Sequence, residues 1–326
     1  MTDNQYDVII VGGGASGFFC ANILMENNPD IKCLIIEKTS TTLSKVRVSG
    51  GGRCNVTNKE THPKTLSTHY PRGDKFLLNL FKTFGSKEVI EWFENKGVPL
   101  KTEPDGRMFP LSNTSETIIN ILSDVLNKPN CAIKKSFSVN KITQHNNSWE
   151  VSSDTESATA KHLVLSTGGI NKRISGITKL LKIKTVPASP SLFTFKLPLK
   201  EAILKEMQGV AIQNVEAKIV GEKISASGPL LFTHWGLSGP AILKISAWGA
   251  QILAEKDYQF KIHINFINRS FDDAKQDLEK IRPVEAKKLI KNIEKCYPSK
   301  TLNSRCRNDG LISIMRNESI DISRSY

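Results

Sequence analysis

The sequence predicts an α/β protein: a doubly wound, nucleotide-binding domain with an antiparallel β-rich domain inserted into it. Three observations carry that expectation. A short apolar strand near the N-terminus runs directly into the glycine pattern GGGASG (Gly12–Gly17) and then into a helix. A second short apolar strand ends in an acid, Glu37, at the spacing of about 20 residues typical of such folds. From Pro187 to about Ile267 the pattern becomes a series of strand-like segments. The first two observations are those of a Rossmann-like dinucleotide-binding unit.

Taken in order, Asp7–Val11 is a β-branched run of the kind found in buried parallel strands. Gly12, Gly14 and Gly17 complete G-x-G-x-x-G. The first glycine allows the tight turn, the second lets a pyrophosphate approach the backbone, and the third lets helix and strand pack closely. Phe18, Phe19, Ile23 and Leu24 follow at helical spacing, and Asn27-Asn28-Pro29 stops the helix. Its N-terminus offers free N–H groups and a positive dipole end to phosphates. Cys33–Ile36 is the second strand, and Glu37 is placed to accept from ribose hydroxyls. An acid there disfavours a 2′-phosphate, so NADP is not expected at this site; NAD and FAD both fit.

Bulk properties bound the rest. The chain has 326 residues, which suggests two domains or one with an insertion. Hydrophobic content of 39% and charged content of 24% are ordinary for a globular protein and exclude disorder of the whole chain. The formal net charge is +13. That charge fits either a nucleic-acid surface or simply solvated lysines, and no basic run interleaved with aromatics favours the first. The six cysteines form no CxxC pair, which argues against a zinc centre or a disulfide scaffold and for a reducing, cytoplasmic setting. No signal peptide is expected, and no segment reaches the ~20 apolar residues of a membrane span.

A second glycine-rich stretch follows the second strand: VRVSGGGRCNVTN (Val46–Asn58). An NAD dehydrogenase needs no such loop there, whereas a flavin extends beyond the pyrophosphate and must be packed closely by backbone. Three consecutive glycines forgo about 0.5–1 kcal/mol each in regular structure, which marks a close approach of ligand or chain. FAD is therefore the expected cofactor. With one G-x-G-x-x-G in the chain, NAD(P)H enters only as a transient electron donor.

These residues resemble the HI0933-like flavoprotein family, also called the aminoacetone oxidase family. The resemblance is carried by GGGASG, Glu37-Lys38, SGGGRCNVTN (Ser49–Asn58), DGRMFP (Asp105–Pro110), STGG (Ser166–Gly169), PSLF (Pro190–Phe193) and LLFTHWGLSGPAIL (Leu230–Leu243), in that order. It implies FAD contacts at Ala15, Ser16, Glu37, Lys38, Lys45, Gly51, Gly52, Arg53, Cys54 and Asn55. Arg53 and Asn55 would supply donors near the flavin or pyrophosphate. Cys54 is a candidate redox thiol, though burial for packing is the plainer role. Val139 would lie where related flavoproteins touch adenine through the backbone. Thr167-Gly168 ends a strand, His162–Ser166, that would approach the cofactor again.

In the middle of the chain, Ser86–Gly97 reads as an amphipathic helix ended by glycine. Asn113-x-x-Glu116 reads as a capping box opening a helix from Thr114 to Leu126. Ser136–Thr143 and Trp149–Ser153 read as a hairpin. Arg107 and Phe109 either approach the active site or sit on a surface hairpin. Ser238 is the expected N-cap of a helix with Pro240 in its first turn. His234 is a candidate acid–base or substrate-binding group; otherwise it fixes the turn before that helix.

The expected organisation is residues 1–187 as the FAD-binding domain, 188–300 as the inserted β-rich domain and 301–326 as an unmatched tail. Two departures from the family pattern stand out: NKRISGITKLLKIKTV replaces a glycine-rich segment after STGG, and no C-terminal return to the nucleotide domain is recognised. The chain is thus expected to be truncated, leaving a sheet edge exposed. The expected function is FAD-dependent oxidation or reduction of a small molecule. The alternatives are a flavin-dependent RNA-modifying enzyme and an inactive remnant. Oligomeric state is left open.

Overall fold

The computed structural model describes residues 5–169, 176–179, 181–198, 201–267, 269–284 and 320–324. The chain divides into two compact units, Met1–Val186 and Pro187–Tyr326.

The first unit is built on a six-stranded sheet. Its strands are β1 (Gln5–Val11), β2 (Cys33–Ile36), β6 (Cys131–Lys134), β7 (Lys141–His145), β8 (Ser148–Ser152) and β9 (Ser157–Leu165), in the order β6-β2-β1-β9-β8-β7. The first four in that order are parallel; β9-β8-β7 is antiparallel. Cys33–Ile36 is buried along its whole length, as a central parallel strand covered on both faces must be. Residues alternate between two cores: Ile10, Cys33 and Ile35 on one face, Ile9, Leu34 and Ile36 on the other. Helix α1 (Ala15–Asn27) covers the first face, burying Phe18, Ala21 and Met25.

A three-stranded sheet, β3 (Thr57–Asn58), β5 (Arg107–Pro110) and β4 (Leu100–Thr102), stands beside it in the order β3-β5-β4. Between β2 and β3 lies the short helix α2 (Ser44–Val48). Helix α5 (Ser86–Asn95) appears where the amphipathic pattern places it, burying Trp92 and Phe93. The helix expected from Thr114 instead spans Ser115–Ser123 (α6) and tightens to a 3₁₀ turn over Asp124–Asn127. Its N-cap is Thr114, whose hydroxyl accepts from the Glu116 N–H at 3.3 Å. Asn113 cannot cap because its own backbone is left-handed, with φ 56°.

The second unit is a closed barrel, β10-β13-β12-β11-β14-β15. The strands are β10 (Phe195–Lys196), β11 (Ala211–Ile219), β12 (Ser225–Phe232), β13 (Gly236–Ser238), β14 (Gln259–Asn265) and β15 (Ile320–Arg324). β11 alternates exposed and buried residues, and its inward Val215, Ala217 and Ile219 meet Leu230 and Phe232 of β12 in one core. Helix α8 (Pro240–Trp248), which follows α7 (Glu201–Met207) in the chain, packs Ala241, Ile242 and Ile245 into that core. Its N-cap is Gly239, not Ser238, which ends β13. Gly239 has φ +95°, and a Cβ there would lie 2.8 Å from the Pro229 oxygen. β15 lies within the stretch read as a tail and pairs with both β10 and β14. Residues 301–319, and the start of the segment after STGG at 170–175, lie outside the described residues.

Candidate functional site

The candidate site lies at the C-terminal ends of β1, β2 and β9, where ligands bind in open α/β sheets. Strand β1 leaves the sheet through Gly12, whose φ is +123°. A Cβ on Gly12 would sit 2.2 Å from the Ser166 oxygen at the end of β9. A Cβ on Gly17 would sit 2.0 Å from the Gly12 oxygen. Both glycines are therefore demanded by chain packing. Gly14 differs: a Cβ there would meet nothing within 4 Å. It is the N-cap of α1, and no side chain caps the helix. Exposed Ala15 and Ser16 follow it. The first turn of α1 thus presents N–H groups and a positive dipole end to an open space.

Glu37 braces this turn. One carboxylate oxygen, Oε2, accepts from the Gly13 N–H at 2.9 Å. The other, Oε1, accepts from the Thr39 N–H at 2.9 Å and its hydroxyl at 2.8 Å. The fit is tight: a Cβ on Gly13 would lie 2.9 Å from the Glu37 Cβ, so a position that the glycine pattern leaves free is constrained here. A carboxylate offers about four acceptor sites, so Glu37 keeps capacity for a ligand hydroxyl. Lys38, beside it, is exposed. Val139 is buried in the core, which leaves only its backbone for a ligand.

The second glycine loop is tied to the first through α2. The Leu43 N–H, at the start of α2, donates to the Gly13 oxygen at 2.9 Å. From within α2, Lys45 Nζ reaches to 3.9 Å from where a Cβ on Gly168 or Gly169 would be. The loop after Thr167 is thereby brought beside the other two. Past α2, Gly50, Gly51 and Gly52 all have positive φ. Gly51 and Gly52 face open space, whereas a Cβ on Gly50 would strike the Phe109 ring at 2.8 Å.

Phe109 settles where the DGRMFP segment lies: it is a hairpin strand, and it buttresses the glycine loop. Phe109 is fully buried, with the Arg53 guanidinium 4.1 Å from its ring centroid. Arg53 also forms an ion pair with Glu103, a residue for which the sequence offers no signal. Arg107 is exposed and held by Asp105 at 2.7 Å. The Asn55 amide, with its nitrogen turned to the chain, donates to the Thr57 and Met108 oxygens at 3.1 and 3.2 Å. Arg53 and Asn55 thus both fix the loop from its own side.

Cys54 is buried in the core and has left-handed φ of 61°. Burial pushes its thiol pKa up, partly offset by a hydrogen bond with Ser49. A thiol held protonated is a poor nucleophile, so the packing role is the one its surroundings suit. In the barrel unit, the exposed His234 ring lies tilted against Trp235, their ring centroids 4.1 Å apart. The turn there is fixed by Thr233, whose N–H and hydroxyl both donate to the Gly236 oxygen, at 2.8 and 3.1 Å. His234 is not needed for it. Among the described residues no group of three His, Cys, Asp or Glu could hold a metal, and no helix is long and apolar enough to cross a membrane.

A glycine-turn sheet of this order, followed by a separate barrel, defines a Rossmann-type α/β protein of flavoprotein architecture. The family model described as HI0933-like protein Rossmann domain matches residues 6–182, and that described as HI0933-like protein barrel and H2TH domain matches residues 189–318. The chain belongs to the HI0933-like family. The second match runs beyond residue 300, where the sequence reading began an unmatched tail. Among curated proteins, the ribosomal RNA dihydrouridine synthase of Escherichia coli is 27% identical over 75% of this chain and 61% of its own length. The 3-dehydro-bile acid delta(4,6)-reductase of Clostridium scindens is 24% identical over 79% of this chain and 64% of its own. The chain therefore spans less than two thirds of the length of these relatives. A solved structure, Thermovibrio ammonificans THI4, aligns with TM-score 0.40 and 15% identity over 77% of this chain and 90% of its own.

Proposed function

We propose that the first unit binds FAD and that the chain serves a flavin-dependent oxidoreductase, acting as a reductase of an unsaturated small molecule. The observation that carries the first part is the set of Cβ-free openings at Gly14, Gly51 and Gly52, linked through α2 to one another and to Gly168. Packing alone explains Gly12, Gly17 and Gly50, and positive φ explains the glycines at 51 and 52; neither accounts for Gly14, at the N-terminus of α1. The residues present fit the dinucleotide. The uncapped N-terminus of α1 would take the pyrophosphate, and Glu37 a ribose hydroxyl. The backbone of Gly51–Gly52 would cover the ring system, with Lys45 supplying a positive charge beside it. When bound, FAD supplies the two-electron chemistry, and the protein positions it and excludes water.

The direction of the reaction rests on the relatives' names. Dihydrouridine is uridine with two hydrogens added, and the bile-acid protein is called a reductase. NAD(P)H is the proposed transient donor. The test is the visible spectrum of the purified chain, with release and identification of any bound cofactor. About one FAD per chain is expected; a colourless protein that takes up no added FAD would overturn the reading and favour the inactive remnant.

A second reading, a flavin-dependent RNA-modifying enzyme, is favoured by the name that two relatives share and by the net charge of +13.

A further inference from the structure

At the opposite end of the sheet from the glycine turns, β2 and β6 both begin with cysteine. Cys33 and Cys131 are register partners on adjacent parallel strands. Both belong to the core on the α1 face of the sheet, so their side chains project to the same side. The two thiols act on each other's pKa, that of Cys33 being raised and that of Cys131 lowered. Their backbones are tied to the same turn: the Cys33 N–H donates to the Asn130 oxygen at 2.8 Å, and the Cys131 N–H to the Lys128 oxygen at 3.2 Å. Neighbouring strands lie about 4.8 Å apart, inside the roughly 4.4–6.8 Å of Cα separation that a disulfide spans. Neither thiol has a role in the proposed flavin site.

We propose that Cys33 and Cys131 form a redox-active cross-strand dithiol, which low-molecular-weight disulfides oxidise to an intramolecular disulfide that staples β6 to β2. Cys131 is the entry thiol. It is 7% exposed on a strand at the end of the sheet, whereas Cys33 is 0% exposed. The neighbouring Cys33 side chain lowers its pKa and so favours its thiolate. The Cys131 sulfur attacks the disulfide RS–SR, forming a mixed disulfide and expelling one thiolate. Cys33 then gives up its proton and attacks the Cys131 sulfur. The protein S–S bond forms, the mixed S–S bond breaks and the second thiolate leaves. The protein pair loses two electrons, RSSR gains them, and two RSH are released.

The test uses the full chain, reduced and then treated with glutathione disulfide. Free thiols are alkylated under denaturing conditions and the tryptic peptides are mapped by mass. The expected product is the peptide Cys33–Lys38 joined to the peptide carrying Cys131, lost in Cys131→Ser and retained in Cys54→Ser. Recovery of both cysteines alkylated and unlinked would overturn the proposal. So would a glutathione adduct on Cys131 that never resolves to the cross-link. Mapping of the parent chain decides the matter even where a variant fails to fold.

Discussion

Glu37 does two things that the glycine pattern alone does not reveal: it holds the Gly13 turn from below and keeps acceptor capacity toward the ligand side. Hydrogen bonds to charged groups contribute about 1.5–3 kcal/mol each. Replacing Glu37 by alanine removes the brace and the ribose acceptor together. FAD affinity in Glu37→Ala is expected to fall by at least about tenfold, equivalent to roughly 1.4 kcal/mol, as read by titration of the apoprotein. Unchanged affinity would show that the ribose lies elsewhere. The glycines of the same turn are separable. Gly12→Ala places a Cβ 2.2 Å from a backbone oxygen at positive φ and should prevent stable folding. Gly14→Ala meets nothing and should leave the melting temperature of the cofactor-free protein within a few degrees, while weakening FAD retention. Equal melting temperatures for the two variants would refute this division. The pattern G-x-G-x-x-G and the division of its glycines among turn, ligand and helix packing were legible in sequence; the contact that makes Gly12 obligatory was not, because it is made by Ser166, more than a hundred residues downstream.

At the scale of elements, β1, β2, α1 and α5 follow local signals closely, because buried parallel strands and amphipathic helices declare themselves within a single window; the hairpin read at Ser136–Thr143 and Trp149–Ser153 forms instead at Lys141–His145 and Ser148–Ser152, and β6 and α2 carry no such signal. Caps are less legible. Asn113 and Ser238 both have the right side chains, yet Thr114 and Gly239 cap. In each case the backbone angle decides: Asn113 has φ 56°, and the approach of Pro229 to Gly239 admits no Cβ. Thr114→Ala should cost about 1 kcal/mol of stability, read by urea denaturation, whereas Asn113→Ala should not act through a lost cap. The hairpin of Arg107–Pro110 shows the same limit on the functional side. Its role as the wall behind Gly50 depends on Phe109 and on the Glu103–Arg53 pair, contacts that only the tertiary fold creates. The barrel's strands were legible except for β13, read as the turn before a helix, and β15, whose pairing with β10 and β14 bridges a long sequence separation.

For the whole molecule, two balances of charge set behaviour in solution. Burial raises the thiol pKa of Cys20 and Cys54. The unfolded chain therefore releases these protons first, near the ordinary thiol value of about 8.5. Their contribution to stability is complete below that pH and declines as pH rises above it. Asp7 behaves oppositely: the hydrogen bond from Lys161 lowers its pKa, so its contribution is complete above the ordinary carboxylate value of about 3.9 and is lost as pH falls below it. The reduced protein is expected to melt at a lower temperature at pH 9.5 than at pH 7.5; equal melting temperatures would contradict the buried-thiol assignment. The second balance is the net charge of +13, which bears on the choice between small molecule and RNA. A diffuse positive charge binds RNA at low salt through counterion release alone, and each phosphate contact steepens the loss of affinity with salt. A substrate site adds contacts to bases, which salt does not dissolve. The small-molecule reading therefore expects ribosomal RNA fragments to bind only below about 0.1 M salt and without preference among sequences, as measured by fluorescence anisotropy across a salt series. Submicromolar, sequence-selective binding that persists at physiological salt would instead make RNA the substrate, and would move the search for its contacts to the barrel unit, where His234 and Trp235 stand exposed.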